Sequence, residues 1–311
     1  MRTNLSMQMQ ISSYMLKLAE QWFTTSSLLQ NARAYITEKE KESFFFGQLV
    51  LYHYYMFEGQ GPEERILTAA AAIELAVLAT DILDDLQDQD APHKIWMKSP
   101  EPVALHIAVS MLTLSQQGLL ESAAEPLMQA ELALLINKQL LHAANGQMSD
   151  ILNESTDEDA YLEMIKAKSA SLLVLACMSG VLLAGKPWND QVAQYASDLG
   201  MAAQLRNDLR DLLRWDDKSD FLQRKRSLLM MYILEDEQEE LQWIRDFYNE
   251  KLTVSDVADK REQFEEICHQ SGAVLYGSVM SRKYYESFNE IIAEVKVNKY
   301  WRNQLLKLVN E

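Results

Sequence analysis

The sequence predicts an all-α protein, and three observations carry that expectation. Ten glycines and six prolines punctuate 311 residues, which is sparse for an architecture of strands and tight turns. Between these breaks, apolar residues recur at the three-and-four spacing of a helix. No strand-rich region, low-complexity linker or repeat of solenoid period interrupts the pattern. One helical domain, residues 1–311, is therefore expected, with ample length to bury a core.

Each element has local signals. Leu5 to Thr25 and Tyr35 to Phe57 read as two helices, the second crowded with Phe44, Phe45, Phe46, Tyr52, Tyr54 and Tyr55. Glu58-Gly-Gln-Gly-Pro62 breaks the periodicity, and Pro62 suits the first turn of a helix running to about Asp88. A loop from Gln89 to Ser99 holds His93, Lys94 and Trp96. Prolines open the next two helices, Pro102 to Leu120 and Pro126 to Asn153. Ser155 or Thr156 is expected to cap a helix that begins with Asp157, Glu158 and Asp159 and reaches Gly185, with a bend at Gly180. Lys186-Pro-Trp-Asn189 turns the chain into a helix from Asp190 to about Trp215. Asp216 to Arg226 reads as an ordered, charge-dense loop. Leu228 to Glu311 gives three or four amphipathic helices, with Ser255 as a cap and Gly272 as a break.

Composition excludes several classes of function. A formal charge of −17 disfavours general electrostatic contact with nucleic acid or anionic lipid. Cys177 and Cys268 are far apart and form no Cys-x-x-Cys pair, so they are read as reduced core residues of a cytoplasmic protein. The N-terminus lacks the pattern of a secretory signal. The uncharged run Ser169 to Gly185 is read as a buried helix, and no transmembrane segment is expected.

The candidate chemistry lies in two acidic clusters. Asp81 to Asp90 carries Asp81, Asp84, Asp85, Asp88 and Asp90 at the end of a long apolar helix. The first four fall within about 100° on one helix face. Downstream, Asn207, Asp208 and Asp211 repeat the spacing of Asp84, Asp85 and Asp88, with Gln204 one turn earlier. A single acidic patch is the ordinary mark of a solvated helix face. Two of matched spacing, each ending a mostly apolar helix, point instead to a divalent-metal site between facing helices. Magnesium takes one or two carboxylates and leaves positions open for waters and a diphosphate, whose departure it assists. An allylic cation left behind needs a water-poor pocket, to which Ala72, Ala76, Ala79 and Thr80 could give depth. No glycine follows Asp88-Gln-Asp90 as an EF-hand requires, the five histidines are scattered, and no P-loop, dinucleotide or Gly-x-Ser-x-Gly motif occurs.

These residues carry a family resemblance. Glu74, followed ten positions later by Asp84-Asp85-Leu-Gln-Asp88, resembles the first aspartate-rich motif of trans-isoprenyl diphosphate synthases. Gly146-Gln-Met-Ser-Asp150 resembles their Gly-Gln-x-x-Asp segment, Lys168-Ser169 their Lys-Thr pair, and Gln204 to Asp211 their second motif, with Asn207 in the first acidic position. Asp220 and Lys225 fall where that family has an aspartate and a diphosphate-binding lysine. The resemblance implies an isoprenoid-synthase bundle with a central active-site cavity. It implies magnesium at Asp84, Asp85, Asp88, Asn207, Asp208 and Asp211, with Lys168, Gln204 and Lys225 at the diphosphate of an allylic substrate and Ala76, Ala79 and Thr80 along the prenyl chain. Arg210 and Arg214 are expected to form intrahelical pairs.

The departures narrow the reading. The Gly-Gly-Lys-x-x-Arg segment that docks isopentenyl diphosphate in chain-elongating synthases is replaced by Lys41-Glu-Ser-Phe-Phe-Phe-Gly-Gln-Leu-Val50. The paired arginines after the first motif are replaced by Ala91-Pro-His-Lys94. Without those cations a second diphosphate would be poorly neutralised. The stretch Thr80 to Lys98 is similar to ComQ-type isoprenyl transferases, which modify a tryptophan in the precursor of a quorum-sensing pheromone. That resemblance implies transfer of a geranyl or farnesyl group to an indole carbon of a peptide; apart from it, a cytoplasmic location follows from the cysteine usage, and a homodimer is one arrangement open to the chain. The alternatives are a short-chain isoprenyl diphosphate synthase, a class I terpene cyclase and a helical interaction module without activity. Trp96 and Trp215 are read as structural.

Overall fold

The computed structural model describes residues 2–89, 91–216, 219–236 and 238–310, with side chains from residue 7 onward. Asp90, and Asp217 and Lys218 within the charge-dense stretch from Asp216 to Arg226, lie outside the described residues. Helices follow in the order α1 Arg2–Trp22, α2 Ser26–Lys39, α3 Phe45–Met56, α4 Glu63–Asp88, α5 Glu101–Glu121, α6 Pro126–Ile151, α7 Glu158–Ile165 and α8 Ser171–Leu183. They continue as α9 Asp190–Leu212, α10 Leu228–Leu234, α11 Gln242–Tyr248, α12 Val254–Val257, α13 Arg261–Gln270, α14 Ala273–Glu294 and α15 Lys299–Leu308. No strand occurs among the described residues, as the sequence predicts.

The chain packs as two compact units. One comprises Met1–Leu141, Leu172–Ala196 and Ile292–Glu311, and the other His142–Ser171 and Ser197–Ile291. In the first, α4 packs against α1, α3 and α5. Ala69 to Ala72 are fully buried along it, since small side chains allow neighbours to close in from every side. His53 on α3 is buried with them. Its Nδ1–H donates to the Leu49 carbonyl at 2.7 Å, so Nε2 accepts from the Tyr195 hydroxyl at 2.6 Å. Burial pushes its pKa down to about 4, and the ring is a neutral strut. On α15, Trp301 stacks on Tyr55 with centroids 4.6 Å apart, tying the C-terminus to α3.

The second unit is built around Phe221, which is fully buried and lies 4.3 Å from Phe264 and 4.8 Å from Phe247 between ring centroids. That anchor orders the charged loop after α9. Asn153 fastens the loop's far end: its Nδ2 donates to the Arg224 carbonyl at 3.0 Å, and its Oδ1 accepts from the Arg226 N–H at 2.8 Å.

Several boundaries differ from expectation. The helix expected over Tyr35 to Phe57 is two, because Lys39 turns inward at the end of α2 and the chain reverses through Glu40 to Ser43 before Phe44 buries. Asp157, rather than Ser155 or Thr156, caps α7 by accepting from the Ala160 N–H. Irregularity between α7 and α8 falls not at Gly180 but at a π-helical turn, Lys166–Ala170. Thr253 and Asp256 form a reciprocal capping box on α12, the role expected of Ser255. Among the described residues beyond Leu228 there are six helices where three or four were expected, and the residues around the first three breaks pack in the cluster that includes Phe221.

Among the described residues, three helical stretches are long and apolar enough to cross a membrane by length and composition alone: Glu63–Asp88, Glu101–Glu121 and Glu158–Leu183. The most apolar windows of the first and third are 78% and 72% buried within the protein, which accounts for their apolarity. That of α5 is only 44% buried, and Leu105 and Val109 remain exposed on it.

Candidate active site

In the first unit, the last turns of α4 carry Asp84, Asp85 and Asp88, all half-buried. A strap following α4, closed by the short 3-10 turn Trp96–Lys98, folds back on them. Trp96 is buried with its ring edge-to-face on Tyr35, and its indole N–H donates to Oδ2 of Asp85 at 2.7 Å. Beside this contact runs a chain of ion pairs. Lys39, buried at the end of α2, meets Asp81 at 2.8 Å and Glu42 at 2.9 Å, and Lys94 of the strap closes on the same Glu42. Burial opposes the Lys39 charge, but Asp81, Glu74 and Glu42 more than offset it, and its pKa is raised.

Glu74, two turns deeper on α4, accepts from the Gly47 N–H at 2.6 Å in the first turn of α3. Burial pushes its pKa up to about 7 despite the nearby Lys39. Of the expected prenyl-chain residues, Ala76 and Ala79 are wholly packed, and Thr80, with its hydroxyl on the Val77 carbonyl, is the one with surface exposed.

In the second unit the Gly-Gln-x-x-Asp segment, the Lys-Ser pair and the second acidic motif come together. Gly146 on α6 lies so close to the π-helical turn that a Cβ there would sit 2.3 Å from the Lys168 nitrogen, and one on Gly200 of α9 would sit 2.6 Å from the Ala170 Cα. Only glycine permits both approaches. They bring Lys168 Nζ within 2.5 Å of Asp150 and Ser169 Oγ within 2.8 Å of Gln204. Gln204 in turn donates to Oδ1 of Asp208 at 3.0 Å, and Tyr161 of α7 donates to Oδ2 at 2.7 Å. Burial pushes Asp208 up to about 6 despite these two donors, with Asp150 and Asp211 adding repulsion. Asp220 is pushed up to about 8 by burial and by Asp208, against the field of Lys225. Asn207 is exposed. Arg210 pairs with its neighbour Asp211 at 3.1 Å and Arg214 with Asp216 at 2.6 Å, so both arginines serve local pairs.

The donor set suits magnesium. It consists of hard oxygens, and in the second unit burial, with repulsion from neighbouring carboxylates, raises the pKa values of Asp208 and Asp220, a cost that a bound cation would relieve. Among the described residues, no three acidic, histidine or cysteine side chains already converge on one point. Magnesium needs no such cage, since waters and phosphate oxygens complete its octahedron.

Trp96 is buried and packed, as a structural tryptophan is, whereas the parts of Tyr161 and of the Lys39–Glu42–Lys94 chain are not given by the sequence. Tyr161, Met164 and Lys168 share a helical face by spacing, a signal that could have drawn attention to the tyrosine.

An all-α fold with aspartate motifs on two helices defines a class, and the comparisons with known proteins agree. The polyprenyl synthetase family profile matches residues 27–267, and the chain belongs to that family. Tryptophan prenyltransferase ComQ of Bacillus subtilis (strain 168) is 30% identical over 94% of this chain and 95% of its own length. Geranylgeranyl diphosphate synthase of Sulfolobus acidocaldarius is 25% identical, over 81% of this chain and 80% of its own. A crystal structure of a geranylgeranyl pyrophosphate synthase superposes with a TM-score of 0.85 at 18% identity, covering 100% of this chain and 99% of the other, which is a likeness of fold. Members of the family are in general magnesium-dependent.

Proposed function

We propose that this enzyme transfers a geranyl or farnesyl group from its diphosphate to a tryptophan of a pheromone-precursor peptide, in quorum sensing. The observation that carries this reading is the ion-pair chain Asp81–Lys39–Glu42–Lys94. It joins the two segments in which a chain-elongating synthase would keep cations for isopentenyl diphosphate. Here both lysines are already neutralised by carboxylates, so a second diphosphate would have to displace these partners. A neutral indole asks for no such cations. The likeness to a tryptophan prenyltransferase over nearly the whole chain supports the same acceptor.

When bound, magnesium supplies charge that stabilises the departing diphosphate. Asp84, Asp85 and Asp88 would hold magnesium in the first unit, and Asn207, Asp208 and Asp211 in the second. Lys168 and Lys225 would contact diphosphate oxygens, Lys168 exchanging Asp150 for phosphate, and Gln204 would keep Asp208 oriented. Cys177 and Cys268 are buried free thiols, in keeping with a cytoplasmic enzyme.

The test offers the protein magnesium and geranyl or farnesyl diphosphate, with either a tryptophan peptide or isopentenyl diphosphate, and weighs the products. A peptide heavier by one prenyl group is expected. A lengthened prenyl diphosphate with the peptide unchanged would make the enzyme a short-chain synthase.

We also propose a homodimer. Leu127, Leu134 and Leu141, seven residues apart on α6, are 73%, 72% and 65% exposed, and α5 adds Leu105 and Val109. A stripe of that period suits a second copy of the same helix. Leu134→Glu is expected to halve the mass seen by sedimentation equilibrium. An unchanged mass would rule this face out.

A further inference from the structure

We infer that Trp96 is a positioning residue for the first acidic motif, holding Asp85 in the orientation in which it meets magnesium. The inference rests on the magnesium reading above. Its basis is the 2.7 Å bond from the indole N–H to Asp85 Oδ2, made by a ring that is 1% exposed. A buried indole N–H needs an acceptor. Here the acceptor is a carboxylate of the motif itself.

Two contacts keep the ring from turning, and one of them is itself anchored. Tyr35 meets it edge-to-face with centroids 5.7 Å apart, the Lys94 ammonium lies 5.2 Å above its face, and Lys94 is itself anchored by Glu42. The carboxylate rotor of Asp85 is therefore locked at one oxygen by a donor that carries no charge. A lysine or arginine in that place would cancel the negative charge that attracts a metal ion, whereas an indole orients the group and leaves its charge intact. Outer donors of this kind fix ligand geometry, and their removal typically costs metal affinity about ten-fold or more.

The decisive variant is Trp96→Phe, which keeps an aromatic ring against Tyr35 and removes the N–H. Calorimetric titration of the full chain with magnesium in saturating inorganic diphosphate should give a Kd about ten-fold weaker than that of the parent protein. Prenyl transfer should fall at low magnesium and recover as magnesium is raised, a rescue that simple loss of packing would not give. Equal magnesium affinity in the two proteins would overturn the role of Trp96 and leave the proposed reaction standing. Absence of magnesium binding by the parent protein would overturn both.

A second measurement does not depend on that variant folding. The chain has six tryptophans, and the indole N–H resonance displaced by Asp85→Asn identifies Trp96 by nitrogen–proton NMR. In the parent protein that resonance should move on addition of magnesium and diphosphate. If it stays fixed while the protein binds the metal, the inference fails.

Discussion

Asp208→Asn should lower prenyl transfer by about 10²- to 10³-fold while making the metal-free protein more stable. The opposite signs have one cause. Asp208 is 4% exposed and keeps its charge in a crowd of carboxylates, so its pKa is raised to about 6. A carboxyl whose folded pKa lies above its unfolded one favours the fold fully below the unfolded value and loses that contribution as pH rises through the folded one. Above pH 6 the wild-type protein therefore bears the cost of a buried charge that asparagine lacks. A gain of about 3 kcal/mol at pH 8, vanishing below pH 4, is expected from the size of the shift. The asparagine oxygen still accepts from Tyr161, and the Gln204 amide can turn to face the new NH₂ group. Urea unfolding in EDTA at the two pH values measures the stability, and a peptide-prenylation assay measures the rate. A variant that loses stability at pH 8 would show that Asp208 is held chiefly by its hydrogen bonds. Magnesium with diphosphate should stabilise the wild-type protein more than the variant.

The second large effect is expected at Gly146. Gly146→Ala would set a Cβ 2.3 Å from the Lys168 nitrogen and 2.8 Å from the Met164 carbonyl, both backbone atoms that cannot swing aside. Either α6 or the π-helical turn must move, and a destabilisation of about 3 kcal/mol or more is expected. The movement would part Lys168 from Asp150 and Ser169 from Gln204, so activity should fall even where the variant remains folded. The urea midpoint and the rate at a temperature below the unfolding transition separate the two effects. An alanine variant with an unchanged midpoint would mean that the helices have room to spare at this crossing.

Much of this was legible beforehand because it is local. Helical spacing, the paucity of breaks and the Asp-Asp-x-x-Asp interval are properties of neighbouring residues, and they located α4, α9 and the carboxylates they bear. The intrahelical pairing of Arg210 follows from the same nearness. What escaped is long-range. The partner of Tyr161 is 47 residues away, and that of Lys39 is 42. The helix expected through Tyr35 was broken by where Lys39 finds its counter-charge, which lies on another helix.

By itself, the amino-acid order determined an all-α chain with two matched acidic motifs and the family to which it belongs, since pattern and spacing survive without knowledge of contacts. Tertiary structure alone decided which carboxylates are buried, which donors orient them, and that Lys39 and Lys94 are spent on Asp81 and Glu42. The physical reason is that a side chain's charge and hydrogen bonds depend on what the folded chain brings beside it, and loop closure brings together residues whose separation along the chain carries no record of the meeting.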